Sequence, residues 1–178
     1  MRLKAIIVPA FCLLVSGRVV VAGPPTACSL PGDLQREIAI KYPGERVVGL
    51  SDLEEDDRGF FQKDHDDACP GVVKVDFYGD GQPTLALVLS KMDRSKEPTE
   101  LVVAHLVGQR WKTAVLGTGG PSPYAPVVWS QPAGQYEDID GRKTIRATRP
   151  VIVFSKYESW AILYAWTGSR VSKIWLQD

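Results

Sequence analysis

The sequence predicts an α+β domain: an N-terminal helix followed by a mostly antiparallel β meander. Helical periodicity is confined to the stretch before residue 70, whereas from Val72 onward short apolar runs recur between turn residues at roughly eight- to twelve-residue spacing. Beyond the first twenty-odd residues no Pro/Gly/Ser-rich linker and no fixed-period repeat divides the chain, so residues 23–178 are expected to form a single unit.

Each element has its own reason. Ser29-Leu30-Pro31-Gly32-Asp33 opens a helix in which Leu34, Ile38 and Ala39 form one apolar stripe, and Pro43-Gly44 stops it. Arg46 to Leu50 reads as a strand. Ser51 to Asp67 is acidic and is broken only by Phe60-Phe61, which predicts a short helix or loop anchored by those rings. Val72 to Asp76 and Thr84 to Ser90 are strands around the turn Gly79-Asp80-Gly81-Gln82-Pro83. Gly108-Gln109-Arg110 joins Glu100–Val107 to Trp111–Leu116 as a hairpin turn. Gly117 to Pro132 is rich in Gly, Pro and Ser and reads as a long loop carrying Val127-Val128-Trp129. Two short strands around Asp140-Gly141, then Val151–Ser155, Trp160–Trp166 and Arg170–Leu176, complete the chain.

The first 22 residues read as a cleaved signal peptide. Arg2 and Lys4 precede an apolar run of about 11 residues, too short to span a bilayer, and Val20 and Ala22 suit a signal peptidase. An exported protein without a transmembrane anchor is therefore expected, periplasmic or secreted. The 178-residue precursor balances 21 Lys and Arg against 21 Asp and Glu; cleavage removes Arg2, Lys4 and Arg18 and leaves a net charge of −3. No basic excess remains for nucleic acid. Cleavage also removes Cys12. Cys28 and Cys69 are left to form a disulfide, or Cys28 carries a lipid; Pro25-Thr26-Ala27 is a poor lipobox, which favours the disulfide.

One motif carries chemistry. Val75-Asp76-Phe77-Tyr78-Gly79-Asp80-Gly81-Gln82-Pro83-Thr84-Leu85 places two glycines where the backbone turns sharply and alternates oxygen-bearing residues around them. It resembles the calcium loop of FG-GAP and VCBS-type repeats, whose core reads D-x-N-G-D-G-x-x-D. The resemblance implies calcium as cofactor, with Asp76, Asp80 and the Gln82 carbonyl as ligands. Tyr78 and Thr84 stand where that family places further oxygen donors, so the loop is degenerate. A single motif in a chain this short cannot close the family's multi-bladed propeller. The chain looks instead like single-motif secreted bacterial proteins that hold a GDG loop inside a small mixed domain.

Other candidates are weaker. His65, between Asp64 and Asp66-Asp67, reads as part of a solvated loop, and His105 as a strand histidine donating to a neighbouring carbonyl. No G-x-S-x-G, H-E-x-x-H or P-loop is present. Residues 51–80 hold ten acids against three bases, and residues 141–178 seven bases against two acids. Those segments either pair across the fold or create a bipolar surface that steers a charged partner. Of the five tryptophans, Trp129 is the candidate for a ligand groove because its surroundings read as loop. These features predict a non-enzymatic binding or protein-interaction domain whose partner is a protein or glycan of the cell envelope or beyond. The alternatives are an exported hydrolase using carboxylates near Asp64 to Asp80 and a scaffold-like envelope component.

Overall fold

The computed structural model describes residues 28–177; the signal-peptide region lies outside them. The elements, in order, are helix α1 (Gly32–Lys41), β1 (Arg46–Val47), a 3-10 turn (Leu50–Asp52), helix α2 (Glu55–His65), β2 (Val72–Val75), β3 (Thr84–Ser90), β4 (Thr99–Val107), β5 (Arg110–Gly119), β6 (Val127–Gln131), β7 (Gly134–Glu137), β8 (Thr144–Ala147), β9 (Val151–Lys156), β10 (Trp160–Trp166) and β11 (Val171–Gln177). Helices are few and the paired strands are antiparallel. The strands do not form one meander, however. They divide into a sheet ordered β1-β3-β4-β5, with β2 also on β3, a sheet ordered β11-β10-β9-β6, and the separate hairpin β7-β8.

Period-two alternation explains how these parts stack. In β3, Ala86 and Val88 face the second sheet, while Leu85, Leu87 and Leu89 face α1. In β9, Ile152 and Phe154 point into the space between the sheets; Val151 and Val153 point outward beneath β7-β8. Strand β10 divides likewise, with Ile162 and Tyr164 inside and Leu163 and Ala165 under the hairpin. The layers are therefore α1, first sheet, second sheet and hairpin. Strands covered on both faces need apolar residues at every position, which is why β3 and β10 read as nearly continuous apolar runs. Helix α1 docks through Leu34 and Ile38, both buried. Each such side chain contributes about 1.5–3 kcal/mol.

The structure departs from two expectations drawn from the sequence. Residues 117–132 are not one loop, because β5 continues to Gly119 and β6 pairs with β9 from Val127↔Ser155 to Gln131↔Val151. The Gly and Pro residues that suggested a loop are concentrated between those strands. The acidic segment after Ser51 is the 3-10 turn and α2; Phe61 is buried, whereas Phe60 is 42 % exposed, so only one ring anchors it in the core.

The acidic segment also contains a buried hub. Asp52, 3 % exposed, accepts two hydrogen bonds from Arg46 at 2.6 and 2.7 Å, one from Arg94 at 2.6 Å and one from the Gly49 N–H at 2.8 Å. Its own carbonyl accepts the Ala125 N–H, and Arg94 spans the same region by donating to the Pro123 carbonyl. Burial works to raise the Asp52 carboxyl's pKa. The Arg46 hydrogen bonds, the Gly49 N–H and the two guanidinium charges outweigh that, and the group titrates below its ordinary value.

Besides sharing the core between them, the two sheets join along one side. There β6 packs on β2, and the Val128 N–H donates to the Pro70 carbonyl at 2.8 Å. Cys69 precedes this junction and is bonded to Cys28, 41 residues earlier. No helix among the described residues is long and apolar enough to cross a membrane.

Candidate functional site

The GDG motif is the loop of the β2-β3 hairpin, whose last register pair is Val75↔Thr84. Gly79 and Gly81 have φ of +66° and +75°, the left-handed backbone that favours glycine. A Cβ on Gly79 would also strike the Arg149 guanidinium. The loop is pinned from below. Phe77 is fully buried between the sheets, and Tyr78 lies against His105 at 4.5 Å and Trp166 at 5.1 Å between ring centroids.

The loop's carboxylates have separate roles. Asp80 Oδ1 accepts the Gln82 N–H at 3.0 Å, an Asx-type turn, and Oδ2 lies 3.0 Å from His105 Nε2. The Gln82 N–H first, and then His105, hold the Asp80 carboxyl below its usual value. On the other side of the imidazole, Nδ1 meets Thr84 Oγ1 at 2.8 Å; Thr84 and His105 are cross-strand partners in β3 and β4. In the neutral ring Nε2–H donates to the carboxylate and Nδ1 accepts the threonine hydroxyl. His105 therefore does not donate to a strand carbonyl, as expected, but joins two side chains.

Carboxylate, imidazole and hydroxyl in line form the skeleton of an activated nucleophile. Here its exposure is reversed. Thr84 is fully buried, while the Asp80 side chain is 48 % exposed. Substrate cannot reach the hydroxyl, so the line braces the loop and provides no nucleophile.

Asp76 and Gln82, both exposed, share a shallow depression of about 370 Å³ with Lys74, Val75, Gly81 and Pro83. Calcium takes six to eight oxygens. The loop brings two carboxylates and the Gln82 carbonyl, one carboxylate is already held by His105, and Lys74 adds an ammonium to the depression. The arrangement as it stands does not fit the ion. Among the described residues, no three His, Cys, Asp or Glu side chains gather into a set that could hold a metal. Asp64, Asp66 and Asp67 are exposed around the end of α2, and the Asp64 charge acts on Tyr157.

Trp129 lies on β6, not in a loop. Its half-buried indole stacks on Tyr157 at 6.3 Å and 11°, with His65 5.4 Å away. His65 in turn contacts Phe61 at 4.8 Å, and burial lowers its pKa more than the Asp64 and Asp66 charges raise it. The histidine expected in a solvated loop thus lies within an aromatic row, between Phe61 and Trp129. Among the described residues, no ion pair links segment 51–80 to segment 141–178.

The Asp80-His105-Thr84 line and the Asp52 hub were missed in the sequence. The first depends on β3-β4 register; in the second, Arg46 and Gly49 are close in sequence but Arg94 comes from 42 residues away. Comparisons with protein-family models, curated proteins and solved structures found no match to this chain.

Proposed function

We propose that the chain is an exported, non-enzymatic binding domain with a degenerate calcium-type GDG loop held as a fixed surface feature. The observation that carries this reading is the reversed exposure of the Asp80-His105-Thr84 line. The Thr84 hydroxyl aligned with this imidazole and carboxylate is sealed in the core, and the carboxylate faces outward. A loop fixed by Phe77, Tyr78 and His105 loses little conformational entropy when it meets a partner. The Cys28–Cys69 bond supports export to an oxidising compartment. The FG-GAP/VCBS resemblance supports reading the loop as a degenerate calcium loop, and the partner remains a protein or glycan of the envelope or beyond.

The test is an activity screen against peptidoglycan, glycan and ester substrates, run beside Asp76→Ala and Asp80→Ala. No turnover is expected. Turnover abolished by either substitution would replace this reading with that of a carboxylate-dependent hydrolase. Calcium is tested by melting the protein with and without millimolar calcium. No shift is expected, and a rise abolished by Asp76→Ala would restore the loop as a metal site.

A further inference from the structure

Away from the β2-β6 junction the first sheet ends at β5 and the second at β11. Among the described residues, strand β5 pairs only with β4, and β11 only with β10. Between these edges lies a cleft of about 350 Å³ lined by Val115, Leu116, Tyr164, Val171 and Lys173. The edge of β5 is regular from Arg110 to Val115. Leu116 is the extra residue of a bulge, because Leu101 pairs with Gly117 and Val102 with Val115. The bulge ends the regular edge at the cleft.

Tyr164 reaches this cleft from the core. It is 2 % exposed, and burial alone pushes its phenol up to about 12. Gly117 makes room for the hydroxyl: a Cβ there would collide with it. A buried phenol that meets the wall of a cleft is a donor available to an incoming acceptor.

The charge on and beside the two terminal strands is one-sided. Lys112 on β5, Lys173 on β11 and Arg170 just before β11 are exposed and have no ion-pair partner among the described residues. Lys143 adds a fourth cation by donating to the Lys173 carbonyl at 2.7 Å. Arg110 differs, since it shares its surroundings with Asp33 and Glu37. Neither edge strand contains an acidic residue. A second copy would bring like charges to either edge, and edge cations ordinarily discourage such pairing. An acidic strand turns the same cations into attraction.

We propose that the β5 edge and its cleft dock an extended acidic peptide segment of a partner protein, added as a further strand beside Arg110–Val115. This rests on the binding-domain reading and names the chemistry of its partner. Backbone groups on the free edge of β5 bond the added strand. Val115, Leu116 and Val171 take its apolar side chains, Tyr164 donates to an oxygen, and Lys112 and Lys173 face its carboxylates.

The experiment uses an eight-residue peptide alternating Glu and Val, blocked at both ends, and a Lys/Val counterpart. Binding is followed by amide exchange of the full mature protein. The expected result is protection of Arg110–Val115 by the Glu peptide, weakened by salt, with at least tenfold weaker binding in Lys112→Glu and Lys173→Glu. Both positions are exposed, and native melting of the variants checks the fold. Lys112→Glu should in turn favour the Lys peptide. Equal binding of both peptides, protection elsewhere, or self-association that protects β5 without peptide would each overturn the site. A captured protein partner indifferent to Lys112→Glu would overturn it while leaving the binding-domain reading intact. Hydrolytic turnover would remove that reading whatever β5 binds.

Discussion

Removing the Asp52 carboxylate by Asp52→Ala strands the charges that it holds in place. Loss of one member of a buried ion pair costs about 3–5 kcal/mol, because the partner's charge stays buried without compensation. The two partners differ here. The Arg46 side chain is 41 % exposed and can turn to water, whereas that of Arg94 is 15 % exposed and its Nε has no hydrogen-bond partner among the described residues. Arg94 dominates the penalty, and the lower end of the range, about 3 kcal/mol, is the expected loss. At about 2–4 °C per kcal/mol for a domain of this size, melting should fall by about 6–12 °C. The assay is thermal unfolding at neutral pH with the disulfide intact. Asp52→Leu combined with Arg94→Met, which removes both charges, should cost less than Asp52→Ala alone. The acid limb gives a second reading. The carboxyl's pKa is lowered on folding, so its contribution is complete above the ordinary value of 3.8 and is lost as pH falls through the folded value. Wild type should therefore lose its advantage over Asp52→Ala in that acid range. A melting change under about 2 °C, or parallel acid profiles, would refute the hub as a source of stability.

Three further outcomes are expected. Gly117→Ala should destabilise by about 1–3 kcal/mol through overpacking against the Tyr164 hydroxyl; Tyr164→Phe in the same chain should recover part of the loss, and additive melting shifts would exclude the contact. Reducing Cys28–Cys69 should cost about 4 kcal/mol in the chain-entropy model, measured by denaturant unfolding with and without reductant; coincident curves would count against it. His65, whose pKa burial lowers from 6.5, favours the folded state when neutral, so its contribution is present above 6.5 and is lost as pH falls through the lower folded value. An NMR titration should place the ring below 6.5, and His65→Phe should remove the corresponding step in stability; a ring titrating at or above 6.5 would contradict the burial argument.

What was legible in the sequence was local. Leu34 and Ile38 mark α1 because one helix face must be apolar, and Gly79 and Gly81 mark the loop because its backbone turns left-handed. Two cysteines in a chain with a signal-like start sufficed for the disulfide. The misread elements depend on distant partners. Trp129 appeared to lie in a loop because Pro, Gly and Ser crowd the preceding residues, yet β6 exists through its pairing with β9, more than twenty residues on. His105 showed no sign of its role because Thr84 meets it only through β3-β4 register. Asp52 looked like one acid among many, and only folding sets it apart by closing two guanidinium groups over it.

The disulfide divides the molecule in a way that bears on its resistance to proteolysis. Among the described residues, the covalent ring from Cys28 to Cys69 contains α1, α2 and β1, while β2 to β11 lie beyond it. A protease that cuts the exposed, acidic surface of α2 therefore opens the ring without releasing a fragment. The two pieces remain joined by sulfur, and the first sheet keeps the helix that covers it. Cleavage there adds the mass of one water and new chain ends, and the fragments separate only when the bond is reduced. In an oxidising, protease-rich setting, such a nick leaves the β layers and the GDG loop assembled.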